Sequence, residues 1–555
     1  MSNDTKSNGR GKWGSRIGFM LAASGSAIGL GNLWKFPYIT YKFGAGAFVL
    51  VYLGCIALVG LPIMVAEMMI GRRSGLNPVG AFKKLTNRRI WVFVGGLGVT
   101  CGFILLSYYS VVAGWALEYT VKSVRNDFAN HQTITDKDIG AHLFAEYIKT
   151  PKSKSDPIKA GYGSELSTIS FYDLKSPKAK KAFLAKLAKA WGEFAKGKPE
   201  IYAKLKSNTT ASLLDAFQRG DDYSSRKLRL QRSLWVGALF GKFVASPAKV
   251  VGWHLLFMLL TMLIVVGGVS QGIERASKIL MPLLLTMLVY LVIRALGFSS
   301  ASESLAMIFR PNFHALTIEA VLEALGHSFF TLSLGMGAML TYGSYLSKDE
   351  SLTTSSIVIT ALDTLIALMA TIIIFCAIHA FKMPVGDGGV SNLFRAIPAM
   401  FQETPGGNWL TVIFYVLVAF AALTSTISLL EVVVSYFIDE RGWSRRKATL
   451  LMGSAIALLG VASALSLNAW ANFKPFFGKT VFEFFDYTVS NWFLPLGGLF
   501  VALFVGWVLP VEAKRDELKG LPAVAFGLWH VTIRYISPLA VAGVFVWLLY
   551  QSIVA

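Results

Sequence analysis

Four stretches of this 555-residue chain put oxygen-bearing side chains and bare backbone into otherwise apolar surroundings. SGSAIGLGNLWKFPY, residues 24–38, packs three glycines after its first serine, an asparagine and a proline into an apolar run that begins near Ile17. AFAALTSTISLLE, residues 419–431, carries Thr424, Ser425, Thr426 and Ser428 within five positions, with Glu431 just after. TALDTLIALMA, residues 360–370, holds Asp363 with no basic residue beside it in sequence. GHSFFTLSLGMGAMLTYGSY, residues 326–345, again mixes glycines with Thr331 and Ser333. Hydrocarbon offers no water to a freed carbonyl, so irregular backbone at membrane depth must find partners within the protein. Glycine-rich backbone there points to a helix that unwinds and turns its carbonyls and Asn32 toward a bound ion. Close helix packing is the other reading, since Gly25 and Gly29 have the four-residue spacing of packed membrane helices; it leaves Gly31 and Asn32 unexplained. A single hydroxyl in a membrane helix usually bonds its own i−4 carbonyl. A lone carboxylate in such a run is costly and marks a functional position.

The elements that must position these residues are membrane spans. The chain is 54% hydrophobic with a mean hydropathy of +0.54, and runs of about 20 apolar residues, enough to cross a bilayer, recur along it. They fall near 16–37, 43–70, 91–121, 249–268, 277–297, 319–346, 355–381, 408–437, 446–467, 482–509 and 523–550. The sequence thus predicts an all-α membrane protein of about eleven transmembrane helices. The first run follows a polar, cationic segment and lacks a small-residue cleavage site, so it reads as a first helix and not a signal peptide. Arg72, Arg73, Lys83, Lys84, Arg88 and Arg89 crowd the loop after span two, and Arg441, Arg445, Arg446 and Lys447 the loop after span eight. The positive-inside rule makes that side, and the N-terminus, cytoplasmic; an odd number of spans leaves Ala555 outside. Cys55, Cys101 and Cys376 all lie within spans, none placed for an external disulfide.

The net charge of +21 is not a nucleic-acid signature. Residues 123–246 hold 22 Lys/Arg against 12 Asp/Glu, about half the whole excess, in one polar insertion. The chain therefore divides into 1–122 (N-terminus and spans one to three), the basic extracellular insertion 123–246, and 247–555 (spans four to eleven). Long loops cross the membrane largely regardless of charge. Residues 179–194 of the insertion, AKKAFLAKLAKAWGEF, repeat apolar residues at helical spacing with lysines between. That suits a solvated amphipathic helix; a basic helix meeting anionic lipid or cell-envelope polymer is the sharper reading.

Two glycine-interrupted spans, one and six, stand five helices apart, the pattern of a transporter site built between inverted repeats. GSAIGLGNLWKFPY, FFTLSLGMG and AALTSTIS resemble spans one, six and eight of the neurotransmitter:sodium symporter family, bacterial amino-acid transporter branch. GLPIMVAEMMIGR, SYYSVVAGW and GIERASKILMP extend the resemblance over nearly the whole chain outside the insertion. It implies two inverted five-helix repeats with broken helices one and six, an appended eleventh helix, and two sodium ions. The first sodium would be held by Ala27, Asn32, Thr331 and Asp363, completed by the substrate carboxylate. The second would be held by carbonyls of Gly25, Ile28 and Ala421 with the hydroxyls of Thr424 and Ser425. A hard cation prefers such oxygen ligands. A substrate pocket is implied at Ser26, Ala27, Gly29, Leu30, Gly31, Leu105, Tyr109, Phe330, Thr331, Ser333, Met336, Ser425 and Leu429. Monoamine carriers of the family have Asp where Gly29 stands, so Gly29 implies a zwitterionic amino acid; the apolar side chains imply a neutral hydrophobic or aromatic one. Ser26 departs from the Asn common there in bacterial relatives.

The resemblance also implies gates: Lys35, in place of the family's Arg, opposite Asp486 outside, and Arg10 with Asp439 inside, closed over by Tyr345. Gly272 and Pro282 bracket nine residues, like a family motif that unwinds span five. Chloride-dependent relatives have a serine and a glutamine where Ala367 and His327 stand, and Asp363 already supplies a negative charge, so chloride is not expected to be required. The expected function is sodium-driven import of an amino acid by alternating access in the bacterial inner membrane, with no bond chemistry, no nucleic-acid partner, and the lipid bilayer as surroundings. A non-transporting sensor or scaffold with the same fold is the alternative. No span carries a nucleophile–base or metal-ligand set of an enzyme, and the oligomeric state is not fixed by the sequence.

Overall fold

The computed structural model describes residues 11–136, 138–139, 223–298, 300–381 and 391–554. Arg10 and the expected helix at 179–194 lie outside them. Among the described residues the architecture is helical throughout, apart from one isolated bridge between Phe476 and Lys479. The chain divides into two compact units. The first comprises the chain up to Arg125, Gly241–Phe401 and the chain from Gly406 onward; the second comprises Asn126–Phe240 with Gln402–Pro405.

Among the described residues nine helices are long and apolar enough to cross a membrane: Gly46–Ser74, Ile90–Val124, Pro247–Val266, Val269–Leu296, Leu352–Ala380, Gly407–Arg441, Arg445–Leu465, Val481–Val508 and Ala523–Trp547. A tenth crossing is a pair, Arg16–Ala27 and Gly31–Lys42, bent by 54°. The run expected at 319–346 is instead two separate pieces, Ile318–Thr331 and Ala338–Gly343, too short to count as one long helix. The eleven expected spans thus become nine whole helices and two interrupted ones, and the interruptions fall at the glycine clusters of spans one and six.

Local chemistry sets these breaks. Ser15 caps span one by accepting the Gly18 amide at 3.0 Å, and the first half-helix ends where Ile28 turns extended. In span six, Ser333, Gly335 and Gly337 all take left-handed backbone (φ +54°, +81° and +76°). Only glycine adopts this without steric cost, so Ser333 is strained by about 1 kcal/mol or more. Two bonds hold the turn: the Gly335 amide donates to Glu67 at 2.6 Å, and the Ser333 hydroxyl donates to the Ser26 carbonyl at 2.8 Å. Glu67, wholly buried in span two, therefore serves the unwound backbone as a substitute for lost helix bonds. Spans three and eight pack along each other and form the wall that the two broken spans face.

Candidate functional site: two oxygen clusters around an occluded pocket

The break in span one meets span seven at Asp363, which is fully buried. Its carboxylate accepts the Asn32 amide at 2.7 Å, the Thr331 hydroxyl at 2.8 Å and the Tyr52 hydroxyl at 3.4 Å. Asn32 in turn accepts the Gly29 amide and lies 3.1 Å from the Thr331 hydroxyl. Among the described residues no basic side chain pairs with Asp363. A buried carboxylate carries a heavy penalty unless a positive charge joins it, and the neutral oxygens around it suit a hard cation. Ala27, expected to contribute a carbonyl, borders the same space.

A second cluster lies where span eight crosses the first half of span one. The Ser425 hydroxyl has four carbonyl oxygens within reach, those of Gly25 (3.4 Å), Ser26 (3.4 Å), Ile28 (3.3 Å) and Ala421 (3.2 Å). One hydroxyl donates one hydrogen, so acceptors outnumber hydrogens at this point. The Thr424 hydroxyl is 3.0 Å from the same Ala421 carbonyl. All five residues expected at the second sodium site thus converge, with no carboxylate among them. Such a cluster of carbonyl and hydroxyl oxygens is the ligand type a hard cation prefers.

Between the clusters lies a cavity of about 20 Å³, room for a single water. Every residue expected at the substrate lines it except Leu30, and Asn32 joins them. Leu30 contributes backbone: its amide donates to the Tyr109 hydroxyl at 3.1 Å. At Gly29 an added Cβ would come within 2.9 Å of both that hydroxyl and the Ser425 hydroxyl, so the backbone can be this close only as glycine. The polar end is completed by the Ser26 hydroxyl, which bonds Ser428 at 2.7 Å. The Phe330 ring lines this cavity and also a second one of about 400 Å³ on its other side, bordered by Lys35, Glu323, Tyr487 and Trp547. Phe330 is therefore the partition between pocket and vestibule.

Of the expected gate residues, Lys35 is arranged differently from expectation, while Arg10 lies outside the described residues. Lys35 faces Glu323 at 3.8 Å, whereas Asp486 accepts the Ser490 hydroxyl at 3.3 Å, so the expected Lys35–Asp486 pair is not the one drawn. On the opposite face, Asp439 accepts the backbone amide and side-chain amide of Asn77 at 2.8 and 3.0 Å. Tyr345 donates to Glu431 at 2.5 Å, and Arg445 grips the same carboxylate with two bonds of 2.7 and 2.9 Å. Sequence reasoning counted Arg445 as a loop cation and Glu431 as a span-end acid; nothing in their spacing joined them to Tyr345. Glu67 and Tyr52 were missed as well. Glu67 carried a signal, an isolated carboxylate in an apolar run; Tyr52 carried none. His327 is fully buried, stacked on Phe36 and tilted against Tyr52 with ring centroids 5.6 and 5.7 Å away.

A multi-span helical protein with two broken helices around an oxygen-lined pocket has the architecture of a secondary transporter. The chain belongs to the sodium:neurotransmitter symporter family, whose model matches residues 10–170 and 234–554. It is similar to YhdH, a sodium-dependent transporter of Bacillus subtilis, with 31% identity over 541 residues and 96% of each chain covered. It is also similar to the mouse sodium- and chloride-dependent neutral and basic amino acid transporter B(0+), with 22% identity over 98% of this chain and 80% of that one. Among solved structures it resembles MhsT in complex with L-phenylalanine, with a TM-score of 0.73, 34% identity, and 97% and 99% of the two chains covered. The protein is thus a multi-pass, sodium-dependent symporter and not an enzyme.

Proposed function

We propose that this symporter imports a neutral, hydrophobic or aromatic amino acid with two sodium ions by alternating access in the bacterial inner membrane, N-terminus inside and C-terminus outside. The convergence of Asp363, Asn32 and Thr331 beside the pocket carries the reading. A cation there has the Asp363 charge on one side and the pocket on the other, so a substrate carboxylate completes its shell. Sharing that ligand makes each raise the other's affinity by the same factor. The second ion, at Gly25, Ile28, Ala421, Thr424 and Ser425, ties the first half of span one to span eight. Its loss releases that half-helix.

The substrate carboxylate lies against Gly29, Gly31 and the Tyr109 hydroxyl, and the apolar end is formed by Leu105, Phe330, Met336 and Leu429. Phenylalanine in the related MhsT supports an aromatic side chain in such a pocket. Chloride is not required in this reading: Asp363 supplies the negative charge, and Ala367 and His327 offer no hydroxyl or amide for an anion. The insertion 123–246 acts as an accessory to the transport core formed by 1–122 and 247–555. The pocket must widen to take an amino acid, and outward movement of Phe330 joins it to the vestibule.

Proteoliposomes given a mixture of common amino acids test the proposal. Accumulation of phenylalanine-like substrates under an inward sodium gradient, equal with chloride or gluconate, is the expected result. Binding without uptake would make the chain a sensor, and preference for decarboxylated amines would overturn the argument from Gly29. Gly29→Asp should abolish amino-acid binding, because its carboxylate opposes that of the substrate.

A further inference from the structure

Three serines at the pocket form a chain of hydroxyls that the two ion clusters do not use. The Ser26 hydroxyl donates to that of Ser428 at 2.7 Å, and Ser428 donates to the Ser425 carbonyl at 2.8 Å. The Ser333 hydroxyl donates to the Ser26 carbonyl at 2.8 Å. A hydroxyl has one hydrogen and two lone pairs, so each of these hydrogens is already committed. The Ser26 hydroxyl also lies 3.4 Å from that of Ser333, a longer contact that ranks behind its bond to Ser428. Ser26 and Ser333 line the cavity at 2% and 5% exposure, and Ser428 does not line it. These two side chains thus offer the cavity acceptor oxygens and no hydrogen.

Their depth decides what reaches them. Tyr109 and Ser425 stand against Gly29, where the substrate carboxylate is placed in the function proposed above. Leu105 precedes Tyr109 by one turn in the span that starts beside the basic 72–89 loop, and Leu429 follows Ser425 by one turn in the span that ends at Arg441. Four helical residues rise about 6 Å, so both leucines lie that much nearer the basic face than the Gly29 level. Ser26, in the last turn of the half-helix Arg16–Ala27, is displaced from Gly29 in the same direction, and its partner Ser428 adjoins Leu429 in sequence. The acceptors therefore stand where the polar end of the pocket meets the apolar side chains, about a turn from the carboxylate. The substrate ammonium has another partner. The half-helix Ile318–Thr331 ends at the cavity, and the negative end of its dipole favours a cation.

We propose that, within the amino-acid symport described above and resting on it, Ser26 and Ser333 select a substrate whose aromatic ring carries a hydrogen-bond donor. The indole N–H of tryptophan and the phenol O–H of tyrosine meet this condition; phenylalanine does not. A phenylalanine ring displaces water from both hydroxyl oxygens and leaves them facing carbon, and a buried acceptor without a partner is the costly case. A ring donor pairs with a lone pair that nothing else occupies. A short hydroxylated side chain such as that of serine does not fill the space between Leu105, Met336 and Leu429. Ser428 is a positioning residue: by taking the Ser26 hydrogen it keeps the Ser26 lone pairs turned to the pocket.

Isothermal titration calorimetry of the full-length, detergent-purified protein in sodium buffer tests this first without any substitution. Tryptophan should bind about three- to tenfold more tightly than benzothienylalanine, which keeps the ring shape with sulfur in place of the N–H, the margin of one hydrogen bond. Tyrosine should exceed phenylalanine by a similar factor. Ser26→Ala should bring both ratios close to one. Ser428→Ala should shrink them, because the freed Ser26 hydrogen then turns toward the pocket. Ratios near one in wild type would overturn the proposal. So would wild-type ratios in folded Ser26→Ala, and an equal loss for every ligand there would put Ser26 at the ammonium instead. If no ligand binds in sodium, the amino-acid reading itself falls; if all bind alike, only the selection falls.

Discussion

The two faces of the molecule close over the pocket with very different chemistry. Toward the vestibule, Lys35 and Glu323 stand 3.8 Å apart with 32% and 42% of their side chains exposed. Toward the basic face, the bonds are shorter and centre on the buried carboxylates of Glu431 and Glu274. Lys278 reaches Glu274 from a partly exposed position, and the Arg16–Glu350 pair is itself partly exposed. Glu431, fully buried, takes Arg445 and Tyr345. Glu274 accepts the Gly14 amide at 2.6 Å and the Ser15 hydroxyl at 2.9 Å, and pairs with Lys278 at 2.7 Å. The Trp13 indole donates to the Tyr342 carbonyl at 3.0 Å, and Arg16 pairs with Glu350 at 3.2 Å. An exposed pair is screened and contributes at most about 1 kcal/mol, whereas a buried pair broken on one side costs about 3–5 kcal/mol. The vestibule side is the face that opens at little cost; the basic side stays closed until a larger free energy is withdrawn. In the transport cycle proposed above, access through the vestibule would come first, and release toward the basic face would wait on the ions proposed to hold span one.

Asp363, which both closures protect, gives the largest expected effect. Asp363→Ala should lower sodium-dependent substrate binding by about 100-fold or more, since it removes the buried carboxylate proposed to face the cation. Scintillation-proximity binding of the purified variant measures this, and unchanged sodium dependence would remove Asp363 from the site.

Next comes the inner closure. Glu431→Ala should destabilise the protein by about 3–5 kcal/mol, because Arg445 is left without its buried partner. Thermal unfolding in detergent reads this out, and a melting temperature equal to wild type would abolish the asymmetry between the faces. Glu274→Gln should act more mildly. It keeps an acceptor for Gly14 and Ser15 but loses charge assistance, a change of about 1–2 kcal/mol. A cysteine placed at Ser15 should then react several-fold faster with a membrane-impermeant thiol reagent on the basic side.

The outer pair should matter least. Glu323→Gln and Asp486→Asn sharpen the comparison when measured side by side. Glu323→Gln should alter KM within about threefold at low salt and less at high salt, as screening requires. If Asp486→Asn has the larger effect, Lys35 uses Asp486 in another state of the transport cycle, and the vestibule closure is stronger than the 3.8 Å pair suggests.

Much of this molecule is legible before folding. Long apolar runs fix the spans because hydrocarbon demands complete backbone bonding. Gly25, Gly29, Gly31, Gly335 and Gly337 mark where spans one and six break, because only backbone without side chains packs or turns so tightly. Asp363 and the hydroxyls of span eight stand out by the same logic, as polar groups in costly surroundings. Helical spacing puts these groups on faces, but it does not say which face of which neighbour they meet. That Lys35 finds Glu323, that Arg445 reaches back 14 residues to Glu431, and that Glu67 bonds an amide 268 residues away are facts of packing. So is the pairing of Arg534 with Trp507 across two spans. The sequence by itself determined the spans, the breaks and the kinds of atoms at the proposed ion sites, because solvation acts on each segment alone. The partners were decided only by tertiary structure, because an ion pair or a hydrogen bond depends on distances of a few ångströms between helices that approach one another only when the whole bundle is assembled.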